Sequence, residues 1–456
     1  MQLKKDLLKV LNTKVINLLI VIITGFLIPA FISINEYALL QTFLLYVSYV
    51  GILHLGFIDG IFIKYGGKHE DQIDTKILKG EHHFFLAFQL ITTFLFLLVG
   101  IIIEDFTLIA VSLVIIPLNI QTFFQFIYQA LGDFKKYSKI ILYSSYLLFI
   151  INLFFVFILK AKNHWIYILG NILIYYIIFL GLELHFFKKY KGIQAVIEKK
   201  KIVLNFKIGI FIMIGNLSFM FFYSADRWLV KYFLSVNDFS FYSFAISMMM
   251  VINVLIGSVT LTFYPYLARG FEEKTIKIIK KYLLIIGTLS SGAYFGFAGI
   301  LYYFLPKYIP SLKIISILFA GYPVIIIINA LYINLYKTRR EEKKYLYTVL
   351  KMALICLGMN LVSVAIYKSS ISIAVATTIS FYVWYIYSSR HFSFLKITYK
   401  ETIYLMIYAL IFLISSNYLN LLYGTIFFCF GISLLIFSFY KNETSMLIRR
   451  LFRNNF

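Results

Sequence analysis

Apolar residues fill this chain in blocks of about twenty, the length one helical bilayer crossing needs, and short polar connections separate the blocks. The pattern predicts fourteen spans: 15–34, 38–58, 83–103, 107–131, 140–159, 165–186, 208–234, 240–264, 282–304, 312–336, 346–366, 370–388, 402–418 and 422–439. The longest connection runs only 187–207. The first block, Val15–Ile34, is too long for a signal-peptide core and lacks a small-residue cleavage site, so it reads as a retained span.

Composition strengthens this reading. Hydrophobic residues make up 61% of the 456 residues and charged residues 14%, with a mean hydropathy of +0.86. Soluble domains hold about 45–50% apolar residues and about 25% charged ones, so too little polar surface is present for a water-soluble fold. Disorder is excluded by the same numbers. The expected fold class is an all-α integral membrane protein, multi-pass.

The net charge of +23 first suggests an acidic partner. Lys and Arg gather on the cytoplasmic side of membrane proteins. With a cytoplasmic N-terminus, the inner segments hold 35 of the 43 Lys and Arg, the outer connections with the span ends beside them 6 (Lys231 and Lys313 lie at such ends), and Arg227 and Lys351 fall inside spans. Insertion topology therefore explains the charge, with both termini cytoplasmic. Anionic membrane lipids are the expected partner of that face, and no nucleic acid is implied.

Several chemistries lack their parts. Cys356 and Cys429 sit in apolar runs with neither disulfide nor metal-ligand spacing. The histidines make no H-x-x-x-H pair, so no metal site and no cofactor is expected. Gly66-Gly67-Lys68 resembles a phosphate loop, but Phe62 replaces its first glycine and His69 its hydroxyl. The outer connections are too short for the catalytic loop of a polysaccharide polymerase or ligase. A non-enzymatic bundle that moves something remains.

An internal repeat is visible. Ile34-Asn35-Glu36-Tyr37 joins spans 1 and 2, and Val236-Asn237-Asp238-Phe239 joins spans 7 and 8, an offset of 202 residues. Each tetrad places an acid at the start of a helix, where the positive end of the helix dipole favours it. Six spans separate the copies, so they run parallel. The expected organisation is an N-terminal six-helix lobe (1–206), a C-terminal six-helix lobe (207–390), and helices 13 and 14 with a basic tail (391–456).

Polar residues inside spans are costly and normally face a bundle interior or a wet cavity. Gln121, Gln125 and Gln129 share one stripe of span 4 with Tyr128; Asn216, Tyr223 and Arg227 share a stripe of span 7; Asn253 and Asn329 lie on stripes of spans 8 and 10. One reading is a hydrated cavity and the other is hydrogen bonding between packed helices. Asp226 and Arg227 lie toward the outer end of span 7, where the alternatives are substrate contact and a local ion pair. At the inner ends of spans 2 and 8, aromatics, Gly or Pro, and the cations Lys64, Lys68 and Arg269 cluster. Such cations either hold a phosphate or anchor the helices at the interface.

The stretches LGFIDGIFIKYGGK (55–68), SADRWLVKYFLS (224–235) and FYPYLARG (263–270) resemble those of O-antigen and capsular polysaccharide flippases. These belong to the multidrug/oligosaccharidyl-lipid/polysaccharide exporter superfamily. The resemblance implies two lobes around a central cavity in a bacterial cytoplasmic membrane, working by alternating access. It also implies transport of an undecaprenyl-diphosphate-linked oligosaccharide to the outer leaflet for surface polysaccharide synthesis. It places Asp226 and Arg227 in the cavity and Lys64 and Arg269 at its inner mouth, with a coupling ion of unspecified kind and polysaccharide-assembly proteins as partners. A small-molecule or multidrug exporter of the same architecture is the alternative.

Overall fold

The computed structural model describes residues 2–268 and 272–453; their regular secondary structure is all helical, with no strand among them. The helices are α1 (Gln2–Phe31), α2 (Ile34–Ser48), α3 (Phe57–Tyr65), α4 (Thr75–Ile102), α5 (Phe106–Ala130), α6 (Phe134–Leu153), α7 (His164–Lys189), α8 (Lys199–Phe222), α9 (Ala225–Phe233) and α10 (Val236–Ala268). They continue as α11 (Glu273–Ser290), α12 (Ala293–Phe304), α13 (Ser311–Phe319), α14 (Tyr322–Ile327), α15 (Ile333–Thr338), α16 (Glu342–Ile366), α17 (Ser370–His391), α18 (Tyr399–Asn417) and α19 (Leu421–Arg453).

Among the described residues, eleven helical segments are long and apolar enough to cross a membrane. The bent pair 311–319 and 322–338, with an angle of 47° between its halves, brings this to twelve. The sequence pattern predicts fourteen. Its remaining two fall on α1, whose apolar part Ile16–Phe31 is shorter, and on α10, part of whose side chains lie outside the described set.

Contacts divide the chain into two units, residues 1–217 and 218–456. In the first, α5 packs against α4, α3, α6 and α7, and α1 lies along α6. Its core is rich in rings, including Phe57, Phe85, Phe123 and Phe186. The outward side of α4 stays apolar, with Leu90, Ile91, Phe94 and Leu95 exposed, as a lipid-facing helix requires. In the second unit α10 packs on α13, α11 on α14 and α16 on α17. The final pair, α18 and α19, packs on α13 and α11 and so belongs to this unit.

The offset of about 200 residues recurs in contacts inside each unit. Ser33 caps α2 by accepting from the Glu36 N–H (3.2 Å), and Ser235 accepts from the Asp238 N–H (3.1 Å) at the start of α10. The capping residue is therefore the serine before each tetrad, with the acid in the first turn. Glu36 accepts from the N–H of His164 (2.6 Å), the first residue of α7; Asp238 meets Ser370 (3.4 Å), the first residue of α17. Lys79 donates to the Ile193 carbonyl (2.7 Å) just beyond α7, and Lys280 to the Leu395 carbonyl (3.0 Å) just beyond α17. Three matched contacts, one a local cap and two joining segments more than a hundred residues apart, support the duplication reading.

Several predicted spans are interrupted, and the breaks in spans 2 and 7 bear on the polar groups. Span 2 breaks between α2 and α3, where Leu55 (φ 49°) and Gly56 (φ 83°) take left-handed backbone conformations, cheap for glycine and costly for leucine. Span 7, expected to be continuous over 208–234, ends as α8 at Phe222 and resumes as α9 at Ala225. A further irregularity is the π-helical turn Ile328–Tyr332 between α14 and α15. These interruptions place the polar groups described next.

Candidate functional site

The break after α8 frees Tyr223 and Ser224 from a regular helix and turns the next residues inward. Asp226 is 1% exposed and Arg227 6%. The Asp226 carboxylate accepts from the Tyr242 hydroxyl (2.6 Å), the Thr377 hydroxyl (3.3 Å) and the Arg227 backbone N–H (2.8 Å). Thr377 also reaches the Asn360 side-chain Oδ1 (3.3 Å), and the Asn360 Nδ2 donates to the Cys356 backbone carbonyl (2.9 Å). The Arg227 guanidinium lies over the Phe239 ring, 6.0 Å from its centroid, with Nη2 3.5 Å from Ser243 Oγ. Helices α9, α10, α16 and α17 thus converge on one buried polar centre in the second unit. Both side chains are buried, so neither reaches out to an interface.

Beside it, the π-helical turn presents Asn329 to Tyr223, whose hydroxyl bonds the amide at 3.0–3.2 Å. A π turn widens the helix and redirects a side chain, and such turns are frequent at functional sites. Four of the predicted site residues, Tyr223, Asp226, Arg227 and Asn329, are therefore gathered around the α8–α9 break.

The first unit has its own buried centre. Glu81 on α4 is 2% exposed. It accepts from Lys64 Nζ (2.6 Å), the Tyr65 hydroxyl (2.7 Å) and the Asn205 amide (2.7 Å), tying α3 and α8 to α4. Lys64, which the sequence reads as either a phosphate contact or an interface anchor, is paired with Glu81. The next residue, His82, meets Glu183 through Nε2 at 2.7 Å among aromatic rings, including Phe186 with a centroid distance of 4.3 Å.

The remaining predicted residues are dispersed. Gln121 is buried and donates to Ser144 on α6 (3.1 Å), a packing contact within the first unit. Gln125, Gln129 and Asn253 are half-buried, Asn216 is exposed, and Lys68 is exposed near the Tyr65 ring. Arg269 lies outside the described residues. Among the described residues, no group of three or more His, Cys, Asp or Glu is placed to hold a metal ion.

Sequence reading missed Glu81, Tyr65, Asn205, Tyr242, Asn360 and Thr377. Glu81 could have been found as the one acid within an apolar helix start, KGEHHFF. Tyr242 and Thr377 carry no such signal, because they reach Asp226 from 16 and 151 residues away.

The Lys64–Glu81 pair makes a test of burial. Glu81→Ala is expected to destabilise the protein by about 3–5 kcal/mol, because it strands a half-buried ammonium and two donors. The double variant Lys64→Met/Glu81→Leu should recover most of that loss. Melting temperature of the purified variants reads both. A double variant as unstable as the single one would show that the Lys64 charge is not what Glu81 compensates.

No protein-family profile matches this chain, and no curated protein sequence matches it significantly. Solved structures do. Lipid II flippase MurJ in an inward closed conformation aligns over 95% of this chain and 98% of its own, at 14% identity and a TM-score of 0.69. A multidrug resistance MATE family transporter of the MOP superfamily aligns over 84% of this chain and 98% of its own in its inward-facing conformation, at 12% identity and a TM-score of 0.58. An outward-facing MATE family transporter covers 86% of this chain and 96% of its own, at 11% identity and a TM-score of 0.53. The chain has the all-helical MOP-like transporter fold.

Proposed function

We propose that this chain is a membrane transporter that flips an undecaprenyl-diphosphate-linked oligosaccharide from the cytoplasmic to the outer leaflet, by alternating access, for surface polysaccharide synthesis. The observation that carries the reading is the extent of the structural likeness. It spans 95% of the chain for a structure named as a lipid II flippase, against 84% and 86% for the multidrug transporters. A glycan on a lipid carrier is chemically closer to lipid II than to a small drug.

The polar residues support it. A sugar cannot enter hydrocarbon because its hydroxyls lose water without replacement. Gln125, Gln129, Asn216, Asn253 and the Tyr223–Asn329 pair offer neutral donors and acceptors in spans 4, 7, 8 and 10. Tyrosine rings add flat apolar faces, and the chain has 37 of them. Asp226 and Arg227, a few residues on from Tyr223, are the proposed charged members of the same site. Lys68 and Arg269 are the proposed diphosphate contacts at the inner mouth; Lys64, also read there from sequence, is paired with Glu81.

A small-molecule exporter is the second reading, favoured by the likeness to the MATE structures. Gene deletion separates the two. The flippase reading expects lost surface glycan and accumulation of the lipid-linked intermediate in the inner leaflet. Unchanged glycan together with new drug sensitivity would replace it with the exporter.

A further inference from the structure

The second unit contains a cavity of about 330 Å³ that the transport reading does not use. The start of α11, the segment 393–400 leading into α18, and Tyr440 enclose it. Tyr440 leaves helical geometry (φ −134°, ψ 37°), which kinks α19 at this point. Five lysines line the cavity, Lys277, Lys280, Lys281, Lys396 and Lys400, against the single lining carboxylate of Glu401.

Two of these charges are compensated. Lys280 is buried and pairs with Glu401 at 2.9 Å; Lys281 pairs with Glu443 at 2.7 Å. Burial would raise the Glu443 carboxyl, but the hydrogen bond from Lys281 and the charges of Lys281 and Lys400 outweigh it and hold the group below its ordinary value. Lys400 lies over the Phe439 and Tyr440 rings at 5.9 and 5.7 Å. No carboxylate among the described residues pairs with Lys277, Lys396 or Lys400, and all three are exposed. Among the described residues, Lys277 and Lys396 have no carboxylate partner and Lys400 has only the more distant Glu443. The ammonium groups facing this cavity therefore repel one another, and an anion accepting from several directions relieves that repulsion.

We propose that this cavity binds a phosphate-bearing anion. Its lysines come from 265–281, 389–401 and the start of α18, segments that the charge bias assigns to the cytoplasmic side, so the site lies at the depth of lipid headgroups. Basic pockets between helices at that depth suit anionic headgroups. Compact ammonium charges suit phosphate as point-charge partners. The same chemistry is offered by a phospholipid headgroup and by a soluble phosphate.

The experiment uses the purified full chain in neutral detergent and follows melting temperature during titration. The additives are phosphatidylglycerol, phosphatidylcholine and inorganic pyrophosphate. Phosphatidylglycerol should raise the melting temperature and phosphatidylcholine should not. A response to phosphatidylglycerol alone assigns the site to a lipid headgroup; a response to pyrophosphate assigns it to a soluble phosphate. Lys277→Gln/Lys396→Gln should weaken the response about thirtyfold in apparent affinity, the effect of two lysine–phosphate attractions. Lys277→Arg/Lys396→Arg should retain it. The inference is overturned if neither anion stabilises the wild type. It is equally overturned if the Gln pair responds like wild type, or if Lys135→Gln/Lys139→Gln in the other unit loses as much. None of these readouts depends on transport.

Discussion

Asp226→Ala is expected to cost about 3–5 kcal/mol and to deplete the protein from the membrane. The carboxylate is enclosed and holds the Tyr242 and Thr377 hydroxyls and the Arg227 N–H. Each donor left unsatisfied costs about 1–3 kcal/mol, and removing one member of a buried ionic cluster is penalised similarly. Asp226→Asn separates structure from function. The amide keeps the size and the acceptor oxygen, and Tyr242 can turn from donor to acceptor, so abundance should stay near that of wild type. Translocation should fall about tenfold or more, equivalent to ~1.4 kcal/mol. Membrane abundance and accumulated lipid-linked intermediate, measured in the same cells, read both quantities. Full transport by the Asn variant would make Asp226 a purely structural residue and remove it from the proposed site.

Gly209→Ala is expected to be nearly as damaging for a different reason. A Cβ at Gly209 would sit 1.8 Å from the Gly56 carbonyl oxygen, and one at Gly60 would sit 2.0 Å from the Asn205 carbonyl oxygen. The backbones of α3 and α8 touch at these points, as small residues allow in membrane bundles. Overpacking usually costs about 1–3 kcal/mol. The obstructing atoms here are backbone and cannot rotate away, so the top of that range is expected for Gly209→Ala and Gly60→Ala alike. Gly181 on α7 meets nothing within 4 Å, so Gly181→Ala should be neutral or stabilising by a fraction of the ~1 kcal/mol helix preference of alanine. A Gly209→Ala protein melting with wild type would sink the close-approach argument. The site depends on this contact, since Asn205, which bonds Glu81, lies one turn before Gly209 on α8.

The helical spans were legible because hydrocarbon imposes a simple demand, that some twenty successive residues be apolar and helical. The repeat was legible in the tetrads 34–37 and 236–239, although the capping residues proved to be Ser33 and Ser235. The stripe reasoning placed Tyr223 and Asn329 on inward faces and could not show that they meet. It also grouped Gln121 with Gln125 and Gln129, while packing sends Gln121 to Ser144. A helical wheel gives direction around one axis, and neighbouring helices decide what lies in that direction.

Local sequence therefore determined what each segment must be: a membrane helix, a capped start, or a cationic connection. Those properties follow from the water-to-hydrocarbon transfer cost and from hydrogen bonds within a few residues. Tertiary structure alone decided where spans 2 and 7 break and which partners the buried carboxylates take. Glu81 joins Lys64, Tyr65 and Asn205, and Asp226 joins Tyr242 and Thr377. A buried charge is tolerated only where donors from several helices converge, and that convergence is set by packing across more than a hundred residues of chain.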